Sequence, residues 1–424
     1  MIDAKLKRVF WAWHFWAGII VGPILVVMAL TGAVYIFQPE LELWWYADIA
    51  AGEFSISSLE LDTVADRLRE EYGEDYSLYG VELEESSGRA PAILMMSKDG
   101  NHSIRRFYFD PATQAIRGEI PDPNFFSLVL RIHRTLLAGT AGRIATELTT
   151  GWTICVTLLG VVLWWPRTWK SLKGVLIPRF NRKRYVWLRD LHSISGAVFS
   201  VLLLIVATTG LLYTFAWGRA FFVIGVASGQ FDLIMSPPQS ISEANAEPLP
   251  LDKVVAKIDE HSMPKARVSI TLPQVETDAI SIRSGSGWGP SVTRAIHLDR
   301  STGEVLSDKR LSELPPLAIY TQWNYPLHVG SIGGITTKAL WLVASVFFAM
   351  LPVAGFAMWW TRRKPGEAGL PNRVDAIHPR WLTILVALVG FALPVVGVSM
   401  ALVWLGTLVR SRFGKHPLDV SPSR

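Results

Sequence analysis

The sequence predicts an all-α membrane bundle, with four core helices from a tandem repeat plus a fifth transmembrane helix, interrupted by two α+β inserts outside the bilayer. Three observations predict it. Half of the 424 residues are hydrophobic and 18 are Trp, a composition foreign to soluble domains. Five apolar runs, 15–37, 148–165, 193–217, 339–360 and 381–409, are long enough to cross a hydrocarbon core of about 30 Å. The third observation is a pair of patterns, each of which occurs twice.

In the first pattern a histidine opens an apolar helix. His14 is followed by Gly18, Thr31-Gly32, Tyr35 and Phe37, and His192 is followed at the same offsets by Gly196, Thr209-Gly210, Tyr213 and Phe215. In the second, His133 precedes Gly139, Arg143, Gly160 and Trp164-Trp165, and His328 precedes Gly334, Lys338, Gly355 and Trp359-Trp360 with matching spacing. The order A-B-A-B is a tandem repeat whose unit is a helix, an insert and a second helix.

The first helix takes residues 1–39. Lys5, Lys7 and Arg8 precede it as in a secretory signal, but the apolar run is too long and no small-residue cleavage site follows, so it reads as a retained anchor. Insert one, 40–124, is polar, with a helical run over 59–72, strand-like segments over 92–97 and 105–110, and a turn at Asp110-Pro-Ala-Thr. The second helix spans 125–166. A loop over 167–191 carries Arg167, Lys170, Lys173, Arg179, Arg182, Lys183, Arg184 and Arg189 against the single acid Asp190.

The third helix covers 192–218. Insert two, 219–315, repeats the recipe: a helix over 249–261, strands over 267–271 and 279–283, then 294–299 running into Asp299-Arg-Ser-Thr-Gly303. The fourth helix is 316–361, a loop over 362–380 holds Arg362, Arg363, Lys364 and Arg373, the fifth helix is 381–410 and the tail is 411–424. Basic residues stay on the cytoplasmic side. Both basic loops and the N-terminus are therefore expected inside, with both inserts and the C-terminal tail in the periplasm.

Composition also excludes functions. A net charge of +5 and pI near 9.2 do not signal nucleic-acid binding, because the basic residues concentrate in short juxtamembrane loops. Cys155 is the single cysteine; a structural disulfide and covalent haem attachment through Cys-x-x-Cys-His are both ruled out. The middles of the apolar runs carry no Asp, Glu, Lys or Arg, which argues against an ion-coupled pump. There is no Gly-rich nucleotide fingerprint, so electrons from NAD(P)H would need a separate donor, a cytoplasmic reductase or a membrane quinol.

The helix-then-strands inserts ending in Asp-x-x-Thr-Gly, set between apolar helices, resemble the PepSY domain. With His133-Arg-x-Leu-Leu-x-Gly-x-x-Gly142 and the helix end Gly160-x-x-Leu-Trp-Trp-Pro-Arg167, the chain resembles the PepSY-associated transmembrane family over about residues 10–363. Insert one departs from the pattern with Gln114 at the turn glycine, and the fifth helix lies outside the repeat. The resemblance implies a bacterial inner-membrane protein, a di-haem ferrisiderophore reductase or an iron-uptake factor.

The four repeat histidines sort by side. His14 and His192 enter from the cytoplasmic face, whereas His133 and His328 precede the returning helices at the opposite face, about the thickness of the bilayer away. Neutral imidazole ligates haem iron from one or both faces of the ring. Two equivalent helices thus supply two equivalent ligands, and the chain is expected to hold two non-covalent b-type haems, one on His14 and His192 and one on His133 and His328. Gly18, Gly196, Gly139 and Gly334 permit close approach of a flat macrocycle, and Arg143 and Lys338 are candidates to meet its propionates.

His102, His261, His297 and His416 read as surface, capping or interfacial residues, and His378 is a minor candidate for a cytoplasmic-side ligand. Most Trp, such as Trp44-Trp45, form the interfacial aromatic belt. The expected function is a transmembrane haem-dependent ferric reductase acting on a periplasmic ferric siderophore or similar chelate, whose hard oxygen donors hold Fe(III) better than Fe(II). The alternative is a PepSY-type periplasmic binding or regulatory protein without redox activity, for which the lipid bilayer is an anchor only.

Overall fold

A computed structural model describes residues 3–85, 87–166, 173–231, 238–243, 245–363, 366–371 and 380–413. His378, His416, Arg167, Lys170, Lys364 and Arg373 lie outside the described residues. In chain order the helices are α1 (Ala4–Ile36), α2 (Gln38–Trp45), α3 (Ala47–Ala50), α4 (Leu61–Tyr72), α5 (Phe125–Thr135), α6 (Gly139–Trp164), α7 (Arg184–Val198), α8 (Ser200–Gly210) and α9 (Ala216–Ala227). They continue with α10 (Leu251–Glu260), α11 (Pro316–Val329), α12 (Gly334–Arg362), α13 (Arg380–Ala392) and α14 (Pro394–Phe413). The strands are β1 (Tyr76–Leu83), β2 (Ala92–Ser97), β3 (Ile104–Phe109), β4 (Ile116–Gly118), β5 (Arg267–Thr271), β6 (Ile280–Gly285), β7 (Arg294–Leu298) and β8 (Val305–Arg310).

Two compact units result. One comprises Met1–Leu30, Arg131–Ala220 and Ala344–Arg424, the other Thr31–Leu130 and Phe221–Val343. The first is helical. Among the described residues three helices are long and apolar enough to cross a membrane, Ala4–Ile36, Gly139–Trp164 and Ser331–Arg362, and the pair Arg184–Val198 and Ser200–Tyr213, bent by 61°, makes a fourth if it is one broken span rather than a re-entrant loop. The bend falls at Phe199, beyond a stretch holding Ser193, Ser195 and Gly196 and ahead of Ser200, whose hydroxyl bonds the Ala197 carbonyl; such a mixture is a recurrent cause of kinks. Phe199 stacks on Phe347 at 4.6 Å, and Ala29, Leu203, Ala344, Phe348 and Ala349 form an apolar centre.

Small residues bring these backbones together, as lipid-embedded packing requires. A Cβ added to Gly22 would lie 2.9 Å from Pro352 Cβ, and one on Gly151 would lie 2.5 Å from Val396 Cγ2. Along α6 the buried hydroxyls of Thr150, Thr153 and Thr157 each donate to the carbonyl one turn back, at 2.8, 2.7 and 2.7 Å, so they present no unpaired polar group to the apolar interior.

Two expectations for this unit are corrected. The helix is longer than the apolar run 148–165: α6 begins at Gly139 and so includes the acid Glu147, which is 3% exposed. Its carboxylate accepts the Ala216 and Trp217 amides at 2.7 and 3.0 Å, capping the start of α9 where a negative charge is favoured. The second correction concerns 381–410, expected as one span. It is two helices broken at Leu393-Pro394. A Cβ on Gly397 would stand 2.4 Å from the Gly390 carbonyl oxygen, whereas residues seven apart in a continuous helix are separated by about 10 Å. The chain doubles back, and Trp152 Nε1 fixes the return by donating to Ser399 Oγ at 3.0 Å.

The second unit holds a sheet. The two inserts, expected as two separate α+β domains, form one eight-stranded antiparallel sheet in the order β4-β3-β2-β1-β5-β6-β7-β8. Each insert contributes one helix and four strands in the same sequence, and the halves join where β1 pairs β5, Gly80 opposite Thr271 and Leu83 opposite Val268. A Cβ at Gly80 would fall 2.1 Å from the Ile270 carbonyl oxygen, so this strand glycine marks a close backbone approach. One face of the sheet packs on α4 and α10 through Leu61, Val64, Leu68, Val81, Ile93, Phe107, Val254, Ile258, Ile270, Ile282 and Ile296 in a single core. Burying each such side chain fully is worth about 1.5–3 kcal/mol.

Gln114, in place of the turn glycine of insert one, adopts φ 58°, and Gly303 in the matching turn has φ 70°. The left-handed backbone is thus kept without a glycine. Arg67 Nη1 donates to the Gln114 carbonyl at 3.1 Å and the Gln114 amide reaches Glu60, contacts that help offset the strain of a side chain in that region.

Candidate functional site: a cavity with two histidines

His14 and His192 start their apolar stretches on α1 and α7, and the helical unit brings them together. The ring centroids are 6.0 Å apart and the planes cross at 89°. His14 Nδ1 bonds the Val156 carbonyl at 3.0 Å and His192 Nδ1 bonds the Leu351 carbonyl at 2.9 Å. Since a carbonyl only accepts, each Nδ1 carries the proton, and each Nε2 is the basic nitrogen available to a ligand. Val156 stands 23 residues after His133, and Leu351 stands 23 residues after His328; the orienting bonds obey the repeat.

Glycines that match across the repeat seat the rings. An added Cβ at Gly160 would be 3.1 Å from His14 Cε1, and one at Gly355 would be 3.8 Å from His192 Cε1. Both imidazoles line a cavity of about 490 Å³, together with Gly18, Leu25, Thr157, Gly196, Leu203 and Trp359. That volume lies within the usual range for small-molecule and cofactor pockets. A Cβ at Gly18 would meet nothing within 4 Å, so the missing side chain contributes open space to the cavity.

The cavity fits a haem. His14 and His192, each with Nδ1 tied to a carbonyl and Nε2 left basic, would be the residues that hold a haem iron, which imidazole ligates readily. Two donors alone fall short of the three or four protein ligands that a bare zinc-like ion takes, whereas a macrocycle brings its own equatorial nitrogens. Most of the remaining wall is apolar, as a porphyrin face requires, and Arg189 and Arg362 add charge on the side of the basic loops.

The other repeat histidines are not among the residues that line this cavity. His133, half-buried near the end of α5, belongs to the helical unit, and its Nδ1 bonds the Met28 carbonyl at 2.9 Å. His328 lies on α11 in the sheet unit and is half-buried. Arg143 sits at the opposite end of α6 from the cavity-lining residues, with Nη2 3.5 Å from the Thr214 carbonyl and its guanidinium 6.0 Å from the Phe215 ring. Lys338 is buried and bound to Glu40 at 2.5 Å. Its charge is matched by a carboxylate.

Of the remaining histidines, His102 is exposed in a turn and His261 caps the end of α10. His297, expected at the surface, is buried in β7 at 4% exposure. Sequence reasoning missed the cavity residues Arg189 and Arg362 because their positions in basic loops were already explained by membrane topology.

Spanning helices around a two-histidine cavity, joined to a unit built on one repeated sheet, define a polytopic membrane protein with an appended α+β domain. The chain belongs to the family described as PepSY-associated TM region, whose family model matches residues 11–362. No curated protein matches the chain.

Proposed function

We propose that the protein is an inner-membrane di-haem b electron conduit that reduces a ferric chelate, such as a ferrisiderophore, in the periplasm and so releases its iron. The observation that carries the reading is the facing pair His14 and His192, 6.0 Å apart with both Nδ1 atoms tied to backbone carbonyls. A haem held there would supply reversible one-electron chemistry at its iron. The chain's own part is to fix both imidazole tautomers, keep the site apolar with Leu25, Leu203 and Phe356, and limit water access at its basic-loop end with Trp11, Trp164 and Trp359.

His133 and His328 are the proposed ligands of the second haem. They share the repeat offsets, and the His133 ring is oriented by a carbonyl in the same manner as the cavity pair. Positive-inside asymmetry places the first pair at the cytoplasmic face, and a separate donor, reductase or quinol, would feed it.

Colour tests the reading. Purified full-length protein should show a reduced-minus-oxidised spectrum of low-spin haem b, and either His14→Ala or His192→Ala should remove about half the haem while the folded yield is kept. Colourless protein that binds no haem on reconstitution would instead favour a binding or regulatory role for the sheet unit.

A further inference from the structure

The cavity carries a direction. Among the described residues that line it, the ionised side chains are Arg189 and Arg362, and both are positive. They lie toward the start of α7 and at the end of α12, next to the basic loops, while Gly22, Leu25, Thr153 and Leu203 line the cavity farther along their helices from those loops. Arg189 precedes His192 by three residues, one turn along the same helical face. On α1 the corresponding position before His14 is Trp11, and Arg362 covers its ring at 5.1 Å. A positive group therefore stands about one turn mouthward of each histidine.

The charges are not neutralised locally. Buried Asp190 accepts Arg189 Nη2 at 3.0 Å, yet the same carboxylate also holds Arg179 through 2.7 and 2.8 Å bonds. Among the described residues, Asp190 is shared between Arg179 and Arg189, so with Arg362 three guanidiniums stand near the mouth against this one carboxylate. Such a site suits an apolar, planar ligand that bears two carboxylates on one edge, because guanidinium binds carboxylate through paired, charge-assisted bonds.

Building on the haem reading above, we propose that Arg189 and Arg362 bind the two propionates at the cavity mouth, so that the carboxylate edge of the cofactor points toward the basic loops. Arg143 and Lys338, also expected to meet propionates, follow His133 and His328 by ten residues and are not among the residues that line this cavity. Arg143 is about ten residues, roughly 15 Å, up α6 from Thr153, the nearest α6 residue of the cavity, and Lys338 is paired with Glu40.

The test uses purified full-length protein and its R189Q, R362Q and double variants, with R182Q as an equal loss of charge away from the cavity. Haem stoichiometry, haem transfer to an acceptor apoprotein, and reconstitution with haem against its dimethyl ester are measured. Each cavity substitution should speed loss of the haem bound at His14 and His192 roughly tenfold, a strong charge-assisted bond being at stake. The double variant should lose the preference for free-acid haem over the diester, R189K/R362K should largely restore it, and R182Q should behave as wild type. Pigmented wild type with unchanged transfer rates and an undiminished free-acid preference in the double variant would overturn this assignment alone. A wild type that takes up no haem would overturn the haem reading, and this assignment with it.

Discussion

Asp62 and Asp252 cap each other's helices. Asp252 Oδ1 accepts the Leu61 amide at 2.6 Å, and Asp62 accepts the Leu251 and Asp252 amides at 2.8 and 3.2 Å. These are matching residues of the two inserts, each the second residue of its own helix, and each satisfies backbone donors at the start of its partner's. The exchange ties one insert to the other alongside the β1–β5 pairing, and it helps explain why two halves expected as separate domains share a core.

Replacing Asp62 by Ala should therefore weaken the start of α10, and replacing Asp252 by Ala the start of α4, at about 1–2 kcal/mol for each substitution. Because the two residues are in direct contact, the double replacement should cost less than the sum. Hydrogen exchange of the α4 and α10 amides is the measurement. Faster exchange confined to the helix that carries the replaced aspartate, with its partner's helix unchanged, would contradict the reciprocal cap.

Much of the sheet was legible in the sequence because β2, β3, β5, β6 and β7 are short runs bounded by turn residues. β1 was not. Gly80 and the acids around it dilute its strand signal, yet that glycine is what lets the β1 backbone meet Ile270. The cap could have been suspected from Leu61-Asp62-x-Val64 and Leu251-Asp252-x-Val254, a repeat within the repeat.

In the helical unit, matched offsets pointed to the cavity histidines and to the glycines beside them, since repeated spacing carries over directly into repeated contacts. Hydropathy missed what composition does not encode: the bend at Phe199, the fold-back at Leu393-Pro394, and Glu147 one residue outside the apolar window. It also could not weigh Arg189 and Arg362, whose second role depends on which helix ends converge.

The sheet unit should loosen in acid, and Asp299 should account for much of the effect. Burial acts to raise this carboxyl, but hydrogen bonds from Ser240, Ser242, Thr302 and Ser301 outweigh it and hold the group well below the usual carboxylate range. A depressed folded-state pKa gives stability that is present above the ordinary value near 3.9 and is lost as pH falls through and beyond it. Asp110 in the matching turn is lowered to about 2 by Arg117 and the Thr113 and Ala112 amides, so it acts in the same direction. Asp299→Asn should cost about 3 kcal/mol at neutral pH, the price of unmet buried donors, and should make the acid limb shallower. Proteolytic susceptibility of the insert compared at pH 7 and pH 3 reads both effects; an acid limb as steep in the variant as in wild type would refute the assignment to Asp299.

Gly18→Leu separates the cavity from the fold. The position faces open space, so the side chain enters the cavity without displacing a neighbour, and exchanging glycine for leucine inside a helix gains about 0.5–1 kcal/mol. The variant should be produced and extracted as well as wild type, yet its haem content should fall toward half. Full haem retention would mean that the cofactor does not occupy the space beside Gly18.

The fold-back at Leu393-Pro394 makes a topological prediction opposite to the one a fifth span gives. A single span would carry the tail to the far side of the membrane from the basic loops. A hairpin whose arms meet at Gly390 and Gly397 returns the chain to the side on which α13 begins, and the tail residues Arg410, Arg412 and Lys415 suit the same side as Arg179 and Arg184 under the positive-inside tendency. A reporter at the C-terminus should then respond like one placed in the 167–191 loop and unlike one placed after Gly229. Replacing Gly397 with Leu puts a side chain where the Gly390 carbonyl lies, so it should pry the arms apart and increase cross-linking or proteolysis within α13 and α14. A C-terminal reporter that matches the Gly229 fusion, together with an unperturbed Gly397→Leu variant, would show that the segment crosses the membrane once.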